Sequence, residues 1–370
     1  MSTTLLRPVT GTRKRRDVKA AIRKLALKIG PGGKLPTVRE FCQSLGVAKA
    51  TVDTALDALE TDGAIRRKHG SGIYVTSRIH QRTIGLVFGG NIFRFGVSPF
   101  YSMLIGACAR RAKGHNENFS FFLDLPETEG ASLPVHRDLA DAIQRRRLHG
   151  MLLAGMGRPE QLDWLRGQSI PCVIYSPSLR EPNVARFDFH EMTRLGVESL
   201  VSQGCRRIGM LAGLGYARPL DDDVCGYVTA LAGHGLEQRP EWIVDCPLNA
   251  DGEIPLTNEE HGYEMMKRMF TGWSRAEASR FPDSVVSTDD MLTRGALVAA
   301  RKLGLEIGRD VRIATHANKG SPALKGFEGE LTLLEIDLDE LIEPMFGMLE
   351  TLMDGRKPEQ EIILVKPRLA

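Results

Sequence analysis

Lys49, Ala50, Thr51 and Asp53 face outward at the start of a short amphipathic segment, and Arg66, Arg67 and Lys68 stand in a row beyond it, ahead of His69-Gly70-Ser71-Gly72. Ammonium and guanidinium groups neutralise phosphates, while short polar side chains at a helix start reach base edges. That is a chemistry of recognition. For catalysis the sequence offers less. Gly213 and Gly215 begin a G-x-G, but Arg218 stands where the third glycine of a dinucleotide fingerprint belongs. Gly89-Gly90 lacks a following Gly-Lys, the 9 histidines form no H-x-x-x-H pair, and no serine sits in a nucleophile elbow. Asp221, Asp222 and Asp223 are consecutive acids, a pattern of solvated loops.

The elements that position the cations can be read from Leu35 to Val75. Thr37 and Glu40 have the T-x-x-E spacing of a capping box, and Val38, Phe41, Cys42 and Leu45 follow at helical spacing. Gly46 supplies a left-handed stop, and a second helix turns Val52, Leu56 and Leu59 inward until Asp62-Gly63 ends it. Ala64–Lys68 and Ile73–Val75 read as a β-hairpin. Upstream, Val18, Ala21, Ile22, Leu25 and Ile29 share a helical face, stopped by Gly30-Pro31-Gly32-Gly33. The run Arg13–Arg16 is either the solvated start of that helix or an arm toward phosphate or a minor groove. A helix presented by its first turn beside a basic hairpin suits a DNA major groove.

KLPTVRE, the GV-x-x-x-TV run and the ending HGSGIYV resemble the winged helix-turn-helix of the GntR family of transcription regulators, over about Asp17 to Val75. The resemblance implies that Arg39, Lys49, Thr51, His69 and Gly70 contact DNA, with Ala50, Asp53, Arg66, Arg67 and Lys68 beside them. Two residues depart from the pattern. Ala48 replaces the usual Ser or Thr N-cap, a change that costs about 1 kcal/mol. Asp53 stands where an arginine often reaches DNA; its carboxylate either accepts from a cytosine amino group or favours the helix N-terminus.

The charge is divided. Residues 1–80 hold 16 Lys and Arg against 6 Asp and Glu, a balance of +10, and the remainder holds 33 against 40, a balance of −7. A basic head on an acidic body implies a nucleic-acid partner for the head alone. The 6 cysteines are scattered without metal-ligand spacing, as expected of small buried hydrophobes in a reducing cytoplasm. No apolar run approaches the roughly 18 residues of a membrane span, and the N-terminus has no apolar signal region.

Past a short polar linker, residues 76–82, the pattern changes. TIGLVF, FSFFLDL, GMLLAG and CVIYS, and then RIGMLAG, EWIVDC, SVVST and VRIAT, alternate with helical stretches. Such alternation predicts an α/β body of two lobes, each a parallel sheet flanked by helices, with a crevice at the carboxyl ends of the strands. TRLGVESLVSQGCRRIGMLAG, CGYVTALAGHGL, STDDMLTRGALVAARKLGLEIGRDVRI and LTLLEIDLDELIEPMFGMLETLMDG, in this order, resemble the effector domain of the lac/gal repressor family, itself similar to periplasmic sugar-binding proteins. The implied organisation is a winged head (1–75), the linker, and an effector-binding and dimerisation body (83–370). Lobe one is expected at about 83–187 and 338–353, lobe two at about 188–334 and 360–370 with the final strand EIILV. The combination resembles the arabinose-repressor type within the GntR family.

That resemblance places Phe100, Tyr101, Asp188, Asp223 and Asp289 at loop tips facing a ligand. The aromatic rings would stack on a sugar face or a base, or serve as core. Asp188 and Asp289 would accept ligand hydroxyl bonds, or cap the helices they precede. Asp223 precedes Val224-Cys225-Gly226, where the family has the arginine of R-x-x-G, and Ala317-Asn318 replaces another frequent ligand aspartate; Arg218 is the nearby cation. The expectation is a cytoplasmic homodimeric repressor, without cofactor, metal or enzymatic activity, bound to double-stranded operator DNA and controlled by a small molecule such as a sugar or nucleoside. The chain ends in VKPRLA with no leucine heptads, so a lac-type tetramerisation tail is not expected. The alternatives are a pyridoxal-phosphate, aminotransferase-like body, for which no lysine motif stands out, and a ligand-independent DNA-binding or scaffold protein.

Overall fold

The computed structural model describes residues 14–89, 92–93, 98–115, 117–123, 133–156, 159–177, 179–214, 222–246 and 257–370. The chain divides into two compact units, one of residues 1–83 with 112–119 and one of residues 84–111 with 120–370.

In the head, helix α1 (Lys14–Ile29) precedes strand β1 (Lys34–Leu35), helices α2 (Val38–Leu45) and α3 (Lys49–Thr61), and the wing strands β2 (Ile65–Lys68) and β3 (Gly72–Val75). Strand β1 adds to the wing as a third strand that the sequence pattern did not announce, in the order β1-β3-β2. The capping box forms: the Thr37 N–H donates to Glu40 Oε2 at 2.7 Å, and Glu40 N–H donates to Thr37 Oγ1 at 3.3 Å. Gly46 ends α2 at φ 64°, whereas Ala48 begins α3 with no side-chain acceptor. Val18, Ile22, Phe41, Leu45, Val52, Leu56 and Leu59 close a common core with Ile65 and Val75.

The expected linker 76–82 is mostly part of this head. Ser77–His80 forms a 3₁₀ turn whose Ile79 is fully buried in the head core, and an Arg23 guanidinium N–H donates to the Ile79 carbonyl at 3.1 Å. Thr76 N–H donates to the Ala64 carbonyl at 3.0 Å. The segment looked polar because one apolar residue among polar ones carries no period. Gln81 alone separates this turn from the first strand of the body.

The body begins with β4 (Arg82–Phe88), α4 (Phe100–His115), β5 (Glu117–Leu123), α5 (Arg137–Gln144), β6 (Gly150–Ala154), α6 (Pro159–Arg166), β7 (Cys172–Tyr175) and β8 (Val184–Phe187). It continues with α7 (Phe189–Ser202), β9 (Ile208–Leu214), α8 (Asp222–Gly233), β10 (Ile243–Cys246), α9 (Asn258–Met269), β11 (Ser284–Ser287), α10 (Asp290–Lys302), β12 (Arg312–Asn318) and β13 (Thr332–Ile336). Helix α11 (Asp339–Met353) and strands β14 (Ile362–Val365) and β15 (Arg368–Leu369) complete it. Two six-stranded sheets result, ordered β14-β8-β7-β6-β4-β5 and β10-β9-β11-β12-β13-β15. Strands such as β6 and β11 are buried along their whole length, which explains their unbroken apolar runs.

The final strand corrects the expected lobe boundaries. EIILV does not join lobe two: β14 pairs in parallel with β8 of lobe one, Ile362 opposite Val184 and Val365 opposite Phe187. Only β15 reaches lobe two, antiparallel to β13. Helix α11 packs against β6, β7, β8 and β14, so the short return after Met353 delivers the strand to the sheet beneath that helix. The chain therefore crosses between lobes after Phe187, after Ile336 and again between Val365 and Arg368, the last crossing being unforeseen.

Candidate nucleic-acid interface and ligand cleft

On the wing, the two-residue period of a strand separates the cations. Ile65, Arg67, Ile73 and Val75 share one face; Arg66, Lys68 and Tyr74 share the other. Arg67 is consequently turned toward α3: its Nε donates to Glu60 Oε2 at 2.7 Å, its backbone N–H donates to Glu60 Oε1 at 2.7 Å, and its guanidinium also pairs with Asp57. These carboxylates raise the Arg67 pKa further, Asp57 first. Arg67 clamps wing to helix. Lys34 takes its place among the outward cations, a residue the sequence reading missed. Its register opposite Tyr74 brings Nζ to 5.9 Å from that ring, with Lys68 Nζ at 5.4 Å. Gly72, at φ 127°, makes room for it: a Cβ there would stand 2.6 Å from Lys34 Cε.

Arg39, Lys49, Ala50, Arg66, Lys68, His69 and Gly70 are all exposed, and Thr51 and Asp53 half-buried. Asp53 Oδ2 lies 3.6 Å from Lys49 Nζ, a pairing within α3 that leaves the N-cap position of Ala48 without a carboxylate or hydroxyl.

In the body, a cleft of about 780 Å³ opens between the lobes at the carboxyl ends of their strands. Lobe one contributes a mainly aromatic wall of Phe100, Tyr101, Tyr175 and Phe187; lobe two contributes Asp223, Asn258, Asp289, His316 and Asn318. The Phe100 ring centroid lies 4.8 Å from Tyr175 and 6.0 Å from Phe187, and Phe187 lies 5.7 Å from the His316 ring across the lobes. Phe100 thus serves as wall and core together, while Tyr101 is half-buried. Gly155, at φ 67°, sits under Tyr101, where a Cβ would come within 2.9 Å of the phenol oxygen.

Asp289 caps α10, its Oδ1 accepting from the Met291 and Leu292 N–H groups at 2.8 and 2.9 Å. Its Oδ2 accepts from Asn258 Nδ2 at 3.2 Å. A backbone-to-backbone crossing of α9 and α10 sets that distance: a Cβ on Gly262 or Gly295 would fall 1.8 Å from the facing carbonyl oxygen. Burial, together with the neighbouring Asp290, pushes the Asp289 pKa up to about 6. Burial also raises the Tyr101 phenol, with help from Asp289, and lowers His316. Asp290 Oδ2 accepts from Ser321 Oγ at 3.1 Å, but its Oδ1, the Asn318 Oδ1 and both His316 ring nitrogens have no hydrogen-bond partner.

Of the six ligand residues expected, Phe100, Tyr101, Asp223 and Asp289 line the cleft. Asp188 is outside that lining; it caps α7, accepting from Glu191 N–H at 3.0 Å, because a short acceptor at a strand-to-helix junction satisfies a free helix donor. Arg218 lies outside the described residues. Tyr175, Asn258, His316 and Asn318 were not anticipated. Asn318 carried a signal, as the replacement at a frequent ligand position; His316 looked like a lone strand histidine.

Residues 14–75 match the model for bacterial regulatory proteins of the gntR family, and residues 197–370 that for a periplasmic binding protein-like domain. A regulatory protein of the LacI family from Chloroflexus aggregans superposes with a TM-score of 0.62 at 23% identity, covering 78% of this chain and 96% of that one. The head thus matches the gntR model and much of the body the periplasmic binding protein-like model. The transcriptional regulator CelR in complex with cellobiose matches this chain with a TM-score of 0.61 at 18% identity over 98% of both chains. The HTH-type transcriptional repressor PurR of Serratia proteamaculans (strain 568) is 23% identical over 357 residues, covering 90% of this chain and 95% of that protein. Among the described residues no helix is long and apolar enough to cross a membrane.

Proposed function

We propose that this chain is a cytoplasmic transcription repressor that binds double-stranded operator DNA as a homodimer and changes its operator affinity when a small molecule, sugar- or nucleoside-like, occupies the cleft. The observation that carries the reading is the presence in one chain of a winged helix with an outward cationic face and a two-lobed body whose cleft holds unsatisfied buried polar atoms. The full-length likeness to PurR repressors, and to a regulator holding cellobiose, supports it. Helix α3 enters the major groove by its first turn, with Lys49 and Thr51 foremost, while Arg39, His69, Gly70 and the outer wing cations Lys34, Arg66 and Lys68 contact the backbone. Arg67 acts indirectly, by holding the wing. Two-fold operators are read by two-fold proteins, hence the dimer. The reading assigns no catalytic step, and the periplasmic-binding-type match over 197–370 disfavours the aminotransferase-like body.

The test is DNA binding by the full-length chain to fragments selected from random sequence, across salt concentrations. Arg39→Ala, Lys49→Ala and Lys34→Ala should each weaken binding and reduce the salt slope by about 1. Unchanged affinity and slope in all three variants overturn the docking.

A further inference from the structure

Among the described residues, two deeply buried side chains of the cleft lining, Asn318 and His316, are 3% and 5% exposed, and each holds at least one polar atom with no partner. Asn318 Oδ1 accepts only; neutral His316 adds one acceptor and one donor. Asp289 and Asp290 are adjacent carboxylates, and the one side-chain donor shown to reach Asp289 is the neutral amide of Asn258. Among the described lining residues the only permanent cations are Arg166 and Arg180, against Asp163, Glu181, Asp223 and Asp289. Arg166 is drawn to Glu181, its Nη2 lying 2.5 Å from Oε2, and Arg180 is exposed. Opposite the carboxylates stands the aromatic wall, whose ring faces attract both the C–H face of a saturated ring and a positive charge.

We propose that the effector is an amine-bearing, hydroxylated ring, of the amino-sugar class, whose ammonium group lies at the Asp289 end of the cleft. The ammonium supplies three donors and a charge to the Asp289 carboxylate, whose side-chain partner among the described residues is a neutral amide. The ring hydroxyls meet Asn318 and His316, and the ring face lies against Tyr101 and Tyr175. A buried acceptor left without a donor keeps its full desolvation cost, so a donor-rich ligand gains where an acceptor-rich one does not. This inference rests on the effector reading of the cleft given above and narrows its chemistry.

The experiment is calorimetry on the full-length chain with glucosamine, galactosamine and mannosamine, each beside its N-acetyl derivative and its neutral parent sugar, with adenosine as the nucleoside. At least one amine should bind, at least about tenfold more tightly than its acetylated and neutral counterparts, the minimum expected of a charged hydrogen bond. Asp289→Asn keeps a competent helix cap and should bring the ratio of amine to parent-sugar affinity toward one. A neutral sugar or adenosine that binds as tightly as every amine, or the absence of binding by all three amines, overturns the proposal. DNA affinity measured with each compound separates the two readings. A neutral ligand that binds as tightly as every amine and shifts operator binding sinks the amine and keeps the effector cleft. DNA binding that no compound alters, with none bound, sinks both.

Discussion

The head and the floor of the cleft treat their polar groups in opposite ways. In the head, Thr37 and Glu40 close on each other, and Arg67 is held by Glu60 and Asp57. In the cleft, Asn318 and His316 keep buried atoms without partners. Satisfied groups stabilise a shape that is used as a rigid reader. Unsatisfied ones cost stability until something else supplies their hydrogen bonds, which is the condition for a ligand to bias the lobes.

The largest effect that would break the comparison concerns how each region uses glycine. Gly295 is needed for closeness and Gly46 for conformation: the first faces the Glu259 carbonyl, while the second sits in open space at φ 64°. Gly295→Leu should destabilise the body by more than about 3 kcal/mol, since a backbone carbonyl cannot move aside as a side chain does. Gly46→Ala should cost the head about 1–2 kcal/mol. Urea unfolding reads the first directly, because the 3 tryptophans, Trp164, Trp242 and Trp273, all lie in the body. A smaller loss at Gly295 than at Gly46 reverses the assignment.

Next in size is the coupling of the two regions. With Ile79 anchored in the head core, Gln81 is the one residue between the head's last turn and β4. A Gly/Ser insertion after Gln81 should leave ligand and DNA affinities separately intact and bring the ligand's effect on DNA binding, typically about 5- to 150-fold, toward one. Full ligand control in the lengthened chain would show that the connection does not transmit it.

A smaller pair tests the satisfied-against-unsatisfied contrast itself. Thr37→Ala removes a made cap and should cost the head about 1 kcal/mol. His316→Phe removes two unmade hydrogen bonds beside Phe187 and should stabilise the body by about 1 kcal/mol while weakening the ligand. Thermal unfolding of the two variants should therefore shift in opposite directions.

The head was legible because its information is local. A capping box, a left-handed glycine and the two-residue period of the wing are each written within a few neighbours, and Thr37, Gly46 and Asp62-Gly63 stand where the spacing put them. What failed there was non-local: Lys34 gains its role only through pairing with β3, and Ile79 only through the head core. The same limit explains the cleft. Phe100, Tyr101 and Asp289 sit beside strand ends that can be read singly, whereas Asn258 reaches Asp289 through a crossing of α9 and α10 set by two glycines far apart in sequence. The strand EIILV has apolar alternation that suits either sheet, and the helix before it decides.

The finest test of the contrast is the sign of the pH dependence. Glu60 is lowered by the Arg67 N–H and guanidinium bonds it accepts, so the folded head favours its charged form. Its contribution is present at neutral pH and is lost as the pH falls through its depressed folded value. Asp289 is the reverse. Its folded value is raised to about 6 by burial and by Asp290, so the folded body favours its neutral form. The cost of charging it grows as the pH rises from the ordinary carboxylate range and is complete above about 6. Difference curves against Glu60→Gln, followed by amide exchange in the head, should show wild-type stability gained with rising pH. Difference curves against Asp289→Asn, followed by tryptophan fluorescence, should show it lost, and an amine bound in the cleft should abolish that loss by pairing with the charged form. Both effects are small, because the Glu60 side chain is 35% exposed and Asp289 borders an open cleft. Slopes of the same sign in the two regions would mean that the folded body favours the charged form of Asp289, and that the cleft floor is scaffold.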